Sequence, residues 1–312
     1  MKTFYLKVGY KTNWEDDFSA CIGYFDGLHL GHLDLINLAL KKAEAANIKA
    51  AMITFDPDPW ETIHQKKYHH LMTIEDRIKK AESLGFDYFI ILTFNQEMAH
   101  LKPDLFISDI LNEMPLKHLI CGFDFTYGFQ GKGTTKTLIA SNRDFEVSVV
   151  PEVAFQDEKI STTRIINLIR LGKVSEANRL LNHLYEIKGV VVTGRSQGKK
   201  IGFPTANIAY YQEYVMPKQG VYIGKIKVSD NLHWAMISIG HNPTFNYRED
   251  LTLEVNILDF TTDIYGETVV VYFYEFLRDQ IKFNNIFELI EQLEADETAT
   301  REYIKENYKA EI

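Results

Sequence analysis

The sequence predicts an α/β domain with a parallel sheet, followed by an antiparallel β barrel or sandwich. Three observations predict this. Over residues 18–150, apolar strand-like runs alternate with helical periodicities, the pattern of a parallel sheet covered on both faces. From Ile187 onward, five runs rich in β-branched residues (IKGVVVTG, GVYIGKIKV, HWAMISIG, LTLEVNIL and TVVVYFYEF) are separated by turns. The length of 312 residues allows two ordinary domains, each with its own core. The expected division is 1–184, including a helical linker segment, and 185–312.

Taken in order, Phe18 to Tyr24 reads as a buried strand and Asp26-Gly27 as a turn, after which Leu33, Ile36, Leu40 and Ala43 recur at helical spacing. Lys49 to Phe55 is a second strand, closed by Asp56-Pro57-Asp58-Pro59, through which no helix continues, so a loop is expected there. Thr73, with Asp76 three residues on, begins a capped helix carrying Ile74, Ile78, Ala81 and Leu84, and Gly85 stops it. Tyr88 to Leu92 is a strand, Pro103 to Met114 a helix, Leu119 to Cys121 a short strand opening into Gly122, Lys136 to Arg143 a helix and Glu146 to Val150 a strand. Ligands of such a sheet bind beyond the strands' carboxyl ends, where the turn after Tyr24, the Pro-Asp-Pro loop and the Gly122 loop gather. Ser161 then opens two short helices split by Gly172. After the β runs, a last helix from Ile286 to Tyr308 carries Ile286, Leu289, Ile290 and Leu293 on one stripe that packs across the barrel.

Composition narrows the function classes. Hydrophobic residues at 46% and charged residues at 25% are globular values, so no disordered tract is expected. A formal net charge of −9 and a pI near 5.6 argue against a nonspecific nucleic-acid or membrane-surface binder, so any polyanion site has to be local. Cys21 and Cys121 lie in apolar runs and read as buried thiols rather than a disulfide or metal pair. The opening MKTFYLKVGYKTNWEDD has no apolar signal core, and no apolar run reaches about eighteen residues, so a soluble cytoplasmic protein is expected.

Four places carry chemistry. His29 and His32 stand three apart around Gly31, so in a first helical turn both imidazoles share a face beside free N–H groups and the positive dipole end. That suits a triphosphate whose charge shifts during reaction. The same spacing also fits a zinc half-site, without an obvious third ligand, or two histidines that cap a helix. Ser161 and Thr162 read either as caps or as hydroxyl donors to a ligand, and Arg164 either as a cation held by an anion or as a surface arginine. Gly194 to Asn207, GRSQGKKIGFPTAN, combines glycines that let a backbone approach phosphate, cations that neutralise it, and the Thr205 hydroxyl and Asn207 amide that can ligate magnesium; it also reads as a solvated hairpin. In LTLEVNIL, Leu251, Leu253, Val255 and Ile257 take one sheet face, which places Glu254 on the other with Thr252 and Asn256. There it is a solvated carboxylate or, if that face lines a pocket, a base for a hydroxyl.

Taken together, GYFDGLHLGH, TFDPDP, GFDFTYG, ISTTR, and IGFPTAN followed by LEVNILDF and DIYG occur in the order found in the prokaryotic bifunctional riboflavin kinase and FMN adenylyltransferase (FAD synthetase) family, which the chain resembles over nearly its whole length. The resemblance implies a Rossmann-like nucleotidyltransferase domain and a six-stranded riboflavin kinase barrel with a terminal helix. It also implies two Mg2+-dependent steps, in which one ATP phosphorylates riboflavin to FMN and a second adenylylates FMN to FAD. It further implies that His29 and His32 bind the ATP phosphates and stabilise the leaving pyrophosphate, with Gly23, Phe25 and Asp26 shaping their turn. Asp124 falls in the flavin and nucleotide loop, and Ser161, Thr162 and Arg164 at phosphate. In the barrel, Gly194, Lys200 and Gly202 fall in the ATP loop, Thr205 and Asn207 at magnesium and phosphate, Glu254 as the base and Arg278 near the flavin.

The sequence also departs from the family pattern. Asp58 replaces a histidine between the two prolines, Ile166 an arginine, and Asn182-His183 a Gly-Arg pair, each removing a positive or flexible contact; ISIG and HNPTF differ slightly. Three readings remain open: the bifunctional enzyme, a riboflavin kinase with an impaired adenylyltransferase domain, and a flavin-binding regulator without turnover. The partners expected are small molecules, with no nucleic acid or membrane, and the sequence does not fix the oligomeric state.

Overall fold

Residues Phe18 to Ile22 are buried to the last side chain, and the sheet is built outward from them. The computed structural model describes residues 1–141, 143–194, 198, 201–241 and 251–308. Lys200, and residues 242–245 of HNPTF, lie outside the described residues. A parallel sheet joins β1 (Lys2–Leu6), β2 (Phe18–Ile22), β3 (Lys49–Asp56), β4 (Tyr88–Thr93), β5 (Leu116–Gly122) and β6 (Glu146–Val150) in the order β1-β4-β3-β2-β5-β6. The chain runs from β2 to β3 and β4 on one side, then returns to place β5 and β6 on the other. Beyond the carboxyl ends of β2 and β5 that reversal opens a crevice. The edge strand β1 was not expected. Its KTFYL is short and half-exposed, and its assignment depends on pairing with β4, which local pattern does not reveal.

Helix α1 (Leu30–Ala46) buries Leu35, Ile36, Ala39 and Ala43 and packs on β2, β3 and β5. The loop expected after the strand is short, Pro57-Asp58, and leads directly into α2 (Pro59–His64), with Asp58 as N-cap accepting from Trp60 N at 2.7 Å. Proline blocks a helix interior but fits its first position, where the missing N–H has no helical partner to lose. Helix α3 (Ile74–Ser83) starts at the expected Thr73–Asp76 capping box. Helices α4 (Gln96–Ala99), α5 (Pro103–Phe106) and α6 (Thr135–Ala140) are short, and α5 passes into a π-helical turn at Ile107–Leu111, so the expected helix ends before Met114. Both cysteines are free and buried.

The chain divides into two units, Met1–Thr162 and Thr163–Ile312. The division falls upstream of the expected 184/185, because α8 (Val174–Leu181), which follows α7 (Thr162–Arg170), is tied to barrel strands: Asn178 Nδ2 donates to Phe273 O (2.9 Å) and Asn178 Oδ1 accepts from Tyr185 N (2.7 Å). Strands β7 (Tyr185–Val192), β8 (Ala206–Tyr210), β9 (Gly220–Val228), β10 (Asn231–His241), β11 (Leu251–Ile257) and β12 (Thr268–Arg278) close a barrel in the order β7-β8-β11-β10-β9-β12. β8 was not among the five runs read from composition, since ANIAY is short and follows a Gly-Pro loop.

The terminal helix α9 (Ile286–Asn307) corrects the sequence reading. Its most buried positions are Asp296, Thr300 and Ile304, not the expected stripe, and Ile286 is exposed. A buried carboxylate is tolerated there because Arg278 forks onto it, Nε to Oδ1 at 2.8 Å and Nη2 to Oδ2 at 2.6 Å. Removing one partner of a buried ion pair strands the other, at a cost of about 3 kcal/mol. We therefore expect Asp296→Ala to lower unfolding free energy by about that much in urea titrations, and Asp296→Asn, which keeps one acceptor, by less. A change below about 0.5 kcal/mol would assign the pair no structural weight.

Candidate active sites

The first site grows from the end of β2. Gly23 lies under the Phe25 ring, and a Cβ there would meet it at 3.2 Å. Phe25 itself takes a left-handed conformation (φ 58°), which reverses the chain and turns its ring edge-on to His32, with centroids 5.2 Å apart. His29 is the N-cap residue of α1 and His32 lies in its first turn. As the spacing predicts, the two rings meet, stacked at 3.7 Å and 15°. Gly31 permits this, since a Cβ would press on the His29 ring at 3.2 Å.

Burial pushes the His29 imidazole down to about 4, with the nearby Lys159 charge adding to the effect. Burial also holds His32 well below the usual histidine range, helped by the charges of His29 and Arg77. Both rings are therefore neutral at pH 7, and the Nδ1 atom of each is enclosed with no hydrogen-bond partner. Enclosed polar atoms without partners are costly, and at a helix N-terminus they invite an anion. Among the described residues, no group of three or more His, Cys, Asp or Glu side chains is arranged to hold a metal.

Around the pair, the structure gathers several predicted residues. Asp124 lies in the loop after β5, ion-paired to Lys159 at 2.6 Å, and Lys159 also sits 4.8 Å over the Phe123 ring. Thr162 Oγ1 donates to Asp26 O at 3.4 Å, and Ser161 beside it is half-buried. The Asp26 carboxylate accepts from Leu71 N and Met72 N, both at 2.9 Å, so it fixes backbone. Asp58 caps α2 and lies 3.8 Å from His70. Lys159 and Asp124 act on His29, and His29 and Arg77 on His32. Asp58, whose carboxyl is pushed up by burial, thus has partners of its own in the first turn of α2 and in His70.

The second site lies on β8 and β11. Burial alternates along β11 with Leu253, Val255 and Ile257 inward, and Glu254 is half-buried on the other face. Across the ladder Glu254 stands opposite Asn207 on β8 and Ser238 on β10, and Thr205 Oγ1 donates to Glu254 Oε2 at 3.2 Å. Gly194 passes so close to the Asn207 amide that a Cβ would lie 2.1 Å from Nδ2; Gly202 takes φ 87° in open space. Hydroxyl, amide and carboxylate oxygens together form a hard donor set of the kind magnesium prefers. Near Glu254, Gln280 Nε2 donates to Ser238 Oγ (3.2 Å) and Ile239 O (2.9 Å). Gln280 and Leu251 also line a cleft of about 530 Å3 that is walled by Met216, Pro217, Lys218 and Arg170. Arg278 does not reach into that cleft, being committed to Asp296 and to Asp279 O. Arg164 is half-buried in the first turn of α7, and Ile166 follows on the same helix. Asn182 takes the left-handed position (φ 60°) that ends α8, a conformation asparagine tolerates in place of glycine, and His183 Nδ1 lies 2.9 Å from Leu184 O.

Sequence reading missed Arg77, His70 and Lys159. The first two lie in or just before a helix that reads as an ordinary amphipathic segment, and only the fold sets them beside the turn. Gln280 lacked any motif.

A histidine whose folded value is depressed must take up a proton on unfolding once the pH falls below its ordinary 6.5. His29 stability is therefore intact above 6.5 and is lost progressively towards about 4, by up to about 3 kcal/mol. We expect His29→Gln to flatten the pH dependence of the unfolding free energy between those limits, read from urea titrations of both proteins at each pH. Parallel curves would contradict it.

Comparison with known proteins follows the same division. The FAD synthetase family model matches residues 11–164 and the riboflavin kinase family model residues 181–304. The bifunctional riboflavin kinase/FMN adenylyltransferase of Listeria monocytogenes is 39% identical over 308 residues, covering 97% of this chain and 98% of that protein. The enzyme of the same name from Bacillus subtilis is 38% identical over 311 residues, covering 97% and 98%. A solved structure from Streptococcus pneumoniae, described as a macrolide-efflux protein, is 36% identical and covers 96% of this chain and 98% of its own, with a TM-score of 0.88. No described helix here is long and apolar enough to cross a membrane. With both domain families matched in order and full-length relatives near 40% identity, the chain belongs to the bifunctional riboflavin kinase/FMN adenylyltransferase family.

Proposed function

We propose that the barrel unit phosphorylates riboflavin to FMN and that the parallel-sheet unit adenylylates FMN to FAD. The observation that carries this reading is the stacked, neutral histidine pair whose enclosed Nδ1 atoms lack partners at the start of α1. In the barrel, Glu254 takes the proton of the riboflavin 5′-hydroxyl as its oxygen bonds to the γ-phosphorus of ATP and the bond to ADP breaks. Thr205, Asn207 and the Gly194–Gly202 loop hold the nucleotide phosphates; Lys200 belongs to that loop. Magnesium, held by Thr205 and Asn207 oxygens, would neutralise charge on the transferring phosphoryl group. The cleft beside Gln280 receives the isoalloxazine, since its volume suits a ligand of that size and Leu251 links it to the Glu254 strand. Arg278 acts there indirectly, by fixing Asp279 and Gln280.

In the first unit, an FMN phosphate oxygen bonds to the α-phosphorus of a second ATP and the bond to the β-phosphate breaks. His29 and His32 donate to the departing pyrophosphate, while Ser161 and Thr162 contact phosphate and Asp124 the flavin and nucleotide; a phosphate contact for Arg164 is what the family resemblance implies. The commitments of Asp58 support a working first site rather than an impaired one. The setting is cytoplasmic, with riboflavin, FMN and ATP as the partners.

Supplying riboflavin with MgATP and resolving flavins by chromatography tests this. FAD is the expected end product; FMN alone would indicate an inactive first site, and neither would indicate a binding protein. Glu254→Gln should lower FMN formation by about 10²–10⁴-fold while riboflavin still binds, measured by flavin fluorescence. FAD formation from supplied FMN should persist in that variant. Full kinase turnover would remove Glu254 from the mechanism.

A further inference from the structure

Arg77 is 2% exposed, and among the described residues no carboxylate lies within ion-pair distance of it, which is rare for a buried cation. Its Nη1 donates instead to Tyr24 O at 2.8 Å and to Thr54 Oγ1 at 3.2 Å, and Thr54 Oγ1 itself donates to Tyr24 O at 2.9 Å. The guanidinium lies 4.6 Å over the Tyr24 ring, and its Nε is enclosed without a partner. Charged or titratable groups facing it are Asp26, Asp56, Asp58, Tyr24 and His32.

The Tyr24 carbonyl is the last fixed point before Phe25 turns left-handed and sets its ring against His32. We infer that Arg77 is a positioning residue for adenylyl transfer: by holding the Tyr24 carbonyl from α3, it fixes the Phe25 turn and with it the stacked histidine pair. This rests on the adenylyltransferase reading of the first unit. A lysine in its place keeps the charge and its ammonium can donate to both oxygens, but it has no planar guanidinium to lie flat on the Tyr24 ring, so its head is held less firmly.

The test follows FAD formation from FMN and MgATP by the full-length protein, with riboflavin phosphorylation as an internal reference. Arg77→Met is expected to lower kcat for FAD formation by about 10²-fold, the loss that a displacement near 1 Å produces, with the kinase rate unchanged. Arg77→Lys is expected to lose about tenfold, with the melting temperature retained. Removing the neighbouring positive charge also makes His32 easier to protonate. Its ring resonances should therefore titrate at higher pH in Arg77→Met and at the wild-type pH in Arg77→Lys. A folded Arg77→Met with wild-type kcat overturns the inference. So does one whose activity falls only in step with melting temperature while His32 titrates as in wild type. If Arg77→Met does not fold, Arg77→Lys decides alone, and wild-type kcat there overturns the inference. Wild-type protein that makes no FAD from FMN would instead sink the adenylyltransferase reading itself.

Discussion

Two imidazoles stacked at 3.7 Å resist becoming imidazolium together, because each added charge would repel the other, and several elements of the first unit favour the neutral rings. Burial does most of it, and each surrounding element contributes. The Phe25 ring covers His32, the Gly31 backbone leaves room for His29, and Arg77 and Lys159 place positive charge where a second proton would have to go. Neutral rings still donate through one N–H each. Beside the free N–H groups of a helix start, this is the local kind of site that the proposed phosphate binding needs in a protein of net charge −9.

The barrel solves a different problem with strand alternation. Leu253, Val255 and Ile257 anchor β11 in the core, so Glu254 can only face outward, and closure of the barrel brings Thr205 and Asn207 from β8 and its approach to the same place. Positions of the three oxygens are thus set by the sheet ladder. Glycine at 194 then lets the preceding loop lie against Asn207 without a clash.

Much of this was legible in the sequence where the cause is local. The His29–Gly31–His32 spacing foretold a shared face, the Thr73–Asp76 box a helix start, and the period of two in LTLEVNIL the side on which Glu254 lies. The rest depends on partners far along the chain. β1 is recognisable only once β4 is beside it, and Asp296 is a core residue only because Arg278 comes to meet it. Arg77 is separated from Tyr24 by 53 positions and sits in a helix whose pattern says only that one face is buried. Asp58 is the exception, since aspartate before a proline at the first helical position is a local cap signal. As a cap, Asp58 accepts from Trp60 N.

The two sites also differ in a way that their nucleophiles demand. A ribityl hydroxyl is a poor nucleophile until it loses a proton; under the proposed mechanism Glu254 takes that proton, and among the described residues the hydrogen bond it receives comes from the Thr205 hydroxyl. The FMN phosphate is already anionic at neutral pH and needs no base; an acceptor carboxylate beside it would only repel it. Three acids near the histidine turn have partners of their own: Asp26 the backbone of Leu71 and Met72, Asp58 its helix and Asp124 Lys159. One chain thus holds two ATP chemistries apart by where it allows a carboxylate to stay uncommitted.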